Sequence, residues 1–565
     1  MFRNQTISPT KNSVVKLYFF EMFTIIFCME EVIENVECKN CNEPFDITKS
    51  DSIFYEKIRV PNPTLCPACR FQRRAAFRNE RYLYRRSCDL CHKKIISVYP
   101  ENSEFEVYCN DCWASDKWDA MDYGVDYDFS KSFFQQFYEF AKRVPRFALH
   151  QDNSSINCKF TNYGLSNKSC YLALCAYSQD IYYSHGIVQS KSCMDCQKCM
   201  SSELCYDCID CNDCYHLLFS KDCNNCSDSY FLEDCVSCSN CFLSVGLRNQ
   251  KFVFENEHLT EEEYKKRFSH IEFTNGKIKE FKKELKGKAL KTPKKYMHGV
   301  NNQDVSGDYI DNCKNLRHCF DALNGAENCA YCDFIGMQSY DLYDCSNGGV
   351  NSELFYEVNG CTSSQNCKFF YYGRELQDIS YCQHCFSSKN LFGCFALKHR
   401  EYCVLNKKYS EEEYFDLEGK IIEQMKVDKE YGEFFPIKFS DFAYNESVAC
   451  EYCPMVEEDI LEKGWKWKKE IGEISDDKGG ECLNCKMCQD SYRTIKQELA
   501  FYKKMNLPTP EICPECRHKS RFAQRNPRQL FRRNCMHCSK QLETAYSPDT
   551  PQIIYCGDCY LKENY

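Results

Sequence analysis

No glycine-rich phosphate loop, nucleophile elbow or HExxH helix occurs anywhere in the 565 residues, and the twelve histidines are scattered. The chemistries that need those patterns have no foothold here. His185, His216, His318 and His384 each stand alone, as structural histidines do. Long apolar runs are missing too. The nearest, Val14–Cys28, is broken by Lys16 and Glu21, is too short to span a bilayer and has no small-residue cleavage site. Residues 1–28 are read as an extraneous or targeting segment, with translation starting at Met29. No membrane association is expected.

Cysteine is what the chain has in excess. There are 46, against a net charge of −10 and a mean hydropathy of −0.59. Most stand in Cys-x-x-Cys pairs, which suit two thiolates on one metal ion better than a disulfide. A reducing, cytoplasmic compartment with metal-bound and buried thiols is expected.

Adding 447 to the numbers of residues 38–112 aligns them with 485–559 without a gap, with 29 identities and all eight cysteines in register. The two ends are copies of one module, 29–120 and 481–565. Each holds two four-cysteine sets of zinc-ribbon spacing. The N-terminal copy has Cys38, Cys41, Cys66 and Cys69, then Cys88, Cys91, Cys109 and Cys112. The C-terminal copy has Cys485, Cys488, Cys513 and Cys516, then Cys535, Cys538, Cys556 and Cys559. A closed tetrahedron of thiolates leaves no open position for water, so such sites are structural. Four Zn2+ per chain are expected, with iron as the variant because Cys66-Pro67 and Cys513-Pro514 look like rubredoxin knuckles. No organic cofactor is expected. Cys482 is spare, and Cys450 with Cys453 form a pair lacking a partner pair.

Between the modules, Cys199, Cys211, Cys223 and Cys235 repeat at intervals of twelve, as do Cys214, Cys226 and Cys238. Short fixed periods mark a solenoid. Interleaved Tyr, Phe and Leu with Ser, Asn and Asp favour short strands. The fold class expected is therefore mainly β and multi-domain, with duplicated double ribbons flanking two cysteine-rich parallel β-solenoids. The solenoids span 151–258 and 297–408, with twelve or twenty-four residues per coil. Each is followed by a helical segment, 259–296 and 409–430, announced by the capping boxes Thr260/Glu263 and Ser410/Glu413. A connecting helix in 121–150 starts near Ser130 and stops at Pro145. Residues 431–480 are mixed, with a polar linker. The solenoid cysteines read as core filling, with Cys205, Cys208, Cys211 and Cys214 the best candidates for a further ion.

Phe54-Tyr55, Lys57, Pro63 and Cys66–Arg70, and their copies Phe501-Tyr502, Lys504, Pro510 and Cys513–Arg517, resemble a zinc-ribbon family of uncharacterised bacterial proteins. Both copies lack that family's glycine after the first knuckle. The whole layout also resembles large cysteine-rich proteins of uncultured, small-genome bacteria. The resemblance implies zinc binding in a bacterial cytoplasm and no assigned activity.

Arginine is concentrated in the same modules. Cys66–Cys88 and Cys513–Cys535 each carry +6, leaving −22 (−10 − 12) on the rest. Arg70, Arg74, Arg78, Arg81 and Arg85 recur as Arg517, Arg521, Arg525, Arg528 and Arg532. On a continuous helix the first set would share one face. The functional reading is nucleic-acid binding, with guanidiniums on phosphates and Phe71, Phe77, Tyr82 and Tyr84 stacking on bases. The alternative is a scaffold, in which the arginines pair with carboxylates inside the chain or in another protein or second copy. A thiol-rich metal or redox protein is a further alternative. No enzymatic activity is expected, a polysaccharide-cleaving solenoid being the weak exception.

Overall fold

The computed structural model describes residues 30–469 and 480–564, apart from 153 and 201. The reading of residues 1–28 and most of the polar linker concern residues outside these. The chain divides into two compact units, 1–66 and 67–565. The first holds the antiparallel hairpin Val32–Glu37/Pro44–Thr48 and the helix Lys49–Lys57, which Thr48 and Asp51 cap reciprocally.

The second unit contains two parallel β-solenoids. In the first, Lys191 pairs with Glu203, Glu203 with Tyr215, Tyr215 with Ser227 and Ser227 with Ser239, so one coil is twelve residues. In the second the step widens to thirteen (Ser339↔Ser352) and returns to twelve (Arg374↔Phe386). The shorter of the two expected coil lengths is the one adopted.

The coil has a finer period that the sequence reading missed. From Leu204 to Leu243 every third residue has φ between 46° and 58°. Each coil therefore has four short sides joined by left-handed corners. Asp207, Asp210, Asp213, Asp222, Asn225 and Asp228 occupy such corners because Asn and Asp tolerate that conformation best after glycine. One residue per side points inward, and in coil 205–214 all four are cysteines, each at most 1% exposed. In the next coil the inward set is Leu217, Ser220, Cys223 and Cys226. One larger and one smaller side chain there replace two of middling size, so the narrow axis stays filled.

The thiols are hydrogen-bonded within the backbone. Cys208 Sγ donates to Tyr206 O (3.4 Å) and Leu217 O (3.2 Å), and Cys226 Sγ to Asn224 O and Cys235 O (both 3.4 Å). All 26 solenoid cysteines are buried and free.

Each solenoid ends as expected. An antiparallel strand (Glu257–His258, Lys407–Lys408) closes the last coil, and a capped helix follows, Glu261–Phe268 or Glu411–Val427. In the first solenoid a second helix, Asn275–Ala289, lies against strands Ser227–Glu233 and Ser239–Val245. The connecting helix is shorter than expected. It runs Phe133–Ala141 with Ser132 as N-cap, and its turn ends before Pro145 is reached. No described helix is long and apolar enough to cross a membrane.

Candidate metal centres and the arginine docks

The first Cys-x-x-Cys knuckle of each set sits at the turn of a two-stranded hairpin: Tyr84–Ser87/Lys94–Ser97, Cys482–Asn484/Ser491–Arg493 and Phe531–Asn534/Gln541–Thr544. The first hairpin of the chain repeats the pattern. The residue after each knuckle, Asn42, His92, Gln489 or Ser539, has φ between 59° and 67°. Its amide donates back to the first cysteine's carbonyl at 2.8–3.0 Å. This is the position where the resembled family has glycine, and here non-glycine residues take the same left-handed turn.

The second half of each set closes on the first. Cys109, Cys513 and Cys556 amides donate to Cys88, Cys485 and Cys535 Sγ at 3.2–3.3 Å, as Cys66 does to Cys38. Sulfur–sulfur separations are 3.9 Å for Cys91–Cys109, 3.8 Å for Cys488–Cys513 and 3.7 Å for Cys538–Cys556. A disulfide would need about 2.05 Å. A tetrahedron with metal–sulfur arms of about 2.3 Å has edges near 3.8 Å, so the spacing is that of four ligands around one ion. In the 67–565 unit, the four sulfurs of each of the three complete sets lie within 4.8 Å of one another. Of the first set, Cys41 and Cys66 are 3.8 Å apart in the 1–66 unit, and Cys69 follows three residues along the chain.

The electrostatics favour a thiolate at the first cysteine of each C-terminal set, Cys485 and Cys535. Burial pushes Cys485 up, but the amides of Cys488, Cys513 and Met487 outweigh it and bring it to about 6. Cys535 sits at about 6 for the same reasons. No solenoid cysteine joins a set with metal-ligand spacing among the described residues, Cys205, Cys208, Cys211 and Cys214 included. Cys450 and Cys453 are half-buried at the end of the helix Val448–Tyr452, and Cys482 is exposed.

The arginines are not on one continuous helix. The first ends at Ala75, so only Arg70, Arg73 and Arg74 lie on it; the second, Pro514–Phe522, carries Arg517 and Arg521. Eight of the ten singled out are in ion pairs with carboxylates of this chain. Arg70 Nε reaches Asp344 at 2.7 Å, and Arg74 reaches Asp344 at 3.3 Å and Glu357 at 3.5 Å. Arg78 pairs with Glu80, and Arg81 with Glu451 and Glu515. Arg517 and Arg521 converge on Asp195 at 2.8 and 2.9 Å. Arg525 contacts Asp210 and Asp321, and Arg528 contacts Asp321, at 2.7–2.8 Å. Arg70 and Arg74 are at most 1% exposed. Arg85 and Arg532 are the exposed pair, Arg85 lying near the Phe160 ring.

Of the aromatics, Phe77 and Tyr84 are buried and Phe71 and Tyr82 half-buried. Phe77 packs on Phe434 and Phe435, Phe71 on Tyr452, and Tyr84 donates to Glu446. The surface of open guanidiniums and rings expected for nucleic-acid contact is, at these positions, an internal joint.

The joints are crossed. The N-terminal arginine helix meets the second solenoid at Asp344 and Glu357, while the C-terminal one meets the first solenoid at Asp195. Yet strand Val107–Tyr108 of the N-terminal module pairs with Arg146–Phe147, just ahead of the first solenoid, and Ile554–Tyr555 pairs with Lys294–Lys295, just ahead of the second. Each module thus touches both solenoids. The details match too. His150 stacks on Tyr163 (4.4 Å, 7°) under Arg78, and His298 on Tyr309 (4.3 Å, 7°) under Arg525.

No protein-family model matches the chain, and no curated protein does. Among solved structures, one described as an acetyltransferase from Desulfovibrio desulfuricans G20 is 7% identical over 46% of this chain and 68% of its own. Its TM-score is 0.10, too low to carry an argument. The zinc-ribbon resemblance therefore rests on the four-cysteine sets themselves.

Proposed function

We propose that this chain is a non-catalytic scaffold. Its ends are folded around four structural zinc ions, and its arginine helices fasten the two solenoids into one body. The observation that carries this reading is the convergence of Arg517 and Arg521 on buried Asp195, matched by Arg70 and Arg74 on buried Asp344. A carboxylate below 2% exposed that is shared by two guanidiniums is a fixed joint rather than a ligand surface. The ribbons supply rigidity, because a metal held by four thiolates gives so small a hairpin unit much of its folding free energy. Thiol-lined cores suit a reducing compartment.

Metal analysis by mass spectrometry beside titration of accessible thiols tests the reading. Four zinc ions per chain and a colourless solution are expected. A folded, metal-free chain would refute it, and a brown or red iron-loaded protein would favour the redox alternative. Retention on a single-stranded nucleic acid, steeply weakened by salt, would restore the nucleic-acid reading.

A further inference from the structure

One face of the second solenoid is covered along its length and another is open. The Asp344–Glu357 side is taken by the N-terminal arginine helix. Further along the same ladder, Tyr381 and its neighbour Phe392 are covered by Phe133 and Phe134 of the connecting helix. Away from that covered ladder, on the Asn351–Glu353 part of the coil, runs a groove of about 800 Å3, open to solvent along its length. Two ladders border it, one of Asn351, Ser363 and Glu375, the other of Tyr340, Glu353, Gln365 and Gln377. Successive rungs stand on successive coils, as in the pairs Tyr340↔Glu353 and Glu353↔Gln365. They are therefore about 4.8 Å apart along the axis.

We propose that this groove binds a linear, uncharged polysaccharide laid along the solenoid axis. The lining excludes other classes of ligand. Its lining residues include two glutamates and neither lysine nor arginine, so a polyanion is repelled. Nearly every lining side chain is polar, so an acyl chain or apolar peptide gains little. Every strand here is already paired on both edges by neighbouring coils, so a peptide cannot add as a strand.

What the groove offers is a repeating row of amides, hydroxyls and carboxylates, matched in period to about one sugar ring per coil. Such groups accept from and donate to vicinal hydroxyls together. Gln365 Nε2 donates to Glu353 Oε2 (3.3 Å), which orients the central rungs. Tyr340, 43% exposed, closes one end with a ring on which the apolar face of a sugar can lie.

The test is affinity electrophoresis of the intact, metal-loaded chain through native gels containing xylan, hydroxyethylcellulose or mannan, with dextran sulfate as the anionic comparison. Retardation by at least one of the three neutral polymers is expected. Tyr340→Ala and Gln365→Ala should each weaken it by about tenfold. Both sites are on the surface, and an unchanged circular dichroism melt confirms that the variants fold. No retardation by any neutral polymer, retardation by dextran sulfate alone, or retardation unchanged in both variants would each overturn the proposal.

Discussion

His298 shows how single side chains are set by their surroundings. Its ring lies on Tyr309, with Nδ1 2.9 Å from Asp308 and Nε2 3.4 Å from Asp222. Burial disfavours its charge, but the two carboxylates outweigh burial and lift it to about 10. An unfolded histidine titrates near 6.5. Below that value both states hold the proton and the stabilisation is complete. Between about 6.5 and 10 the unfolded chain sheds the proton while the folded one keeps it, so stability falls as pH rises. The contribution is on the order of 5 kcal/mol and is gone above about pH 10. Urea midpoints at pH 6, 8 and 10 should therefore decline in the wild type. In His298→Gln the chain should be less stable at pH 6 and the decline shallower. An identical slope in both proteins would contradict the assignment. The pair was hidden in the sequence, because Asp222 lies 76 residues from His298 and on the other solenoid.

The same Cys-x-x-Cys spelling has two physical meanings in the elements of this chain. In the hairpins it places two sulfurs at a left-handed turn, and another pair about twenty residues on completes the set. In the solenoids it follows from three residues per side, and the sulfurs point at the axis and bond to carbonyls. The twelve-residue interval was legible because in-register ladders repeat identical residues. The three-residue side was not, since Leu217, Ser220, Ser229 and Leu232 interrupt the cysteine rows while filling the same positions. The tetrads were readable from spacing alone because metal-ligand geometry is local. The destination of the arginines was not, because it depends on carboxylates such as Asp344, 274 residues from Arg70. Asp195 and Asp344 test that destination. Replacing either by Asn strands two guanidiniums in a dry joint, which costs about 3–5 kcal/mol. Asp195→Asn and Asp344→Asn should thus lower the denaturation midpoint by similar amounts. Adding Arg517→Met and Arg521→Met to the first should recover a large part of the loss. Additive losses in that triple variant would mean that the charges are not coupled.

Within residues 67–565 the halves are interlocked rather than laid end to end. The chain order is module, solenoid, solenoid, module, yet each arginine helix lies on the solenoid of the opposite half. Neither solenoid is therefore complete without a partner from the other end. The short link between helix Asn275–Ala289 and strand Lys294–Lys295 is the covalent tie between the halves, and Lys291 within it is exposed. If the joints hold the body together, cutting that link should change little. The contacts that remain are the buried pairs at Asp195, Asp210 and Asp344 and the rings around Phe77. Salt screens exposed charges over about 10 Å at roughly 0.1 M but reaches buried pairs far less. A protease site placed between Lys291 and Thr292 and then cleaved should leave both fragments in one peak on size exclusion, even at about five times that salt concentration. Asp195→Asn together with Asp344→Asn should let the cleaved fragments part at the same salt, because both crossed joints then lose their shared carboxylate. Separation of the cleaved wild type would mean that the covalent link, and not the arginine joints, holds the halves together.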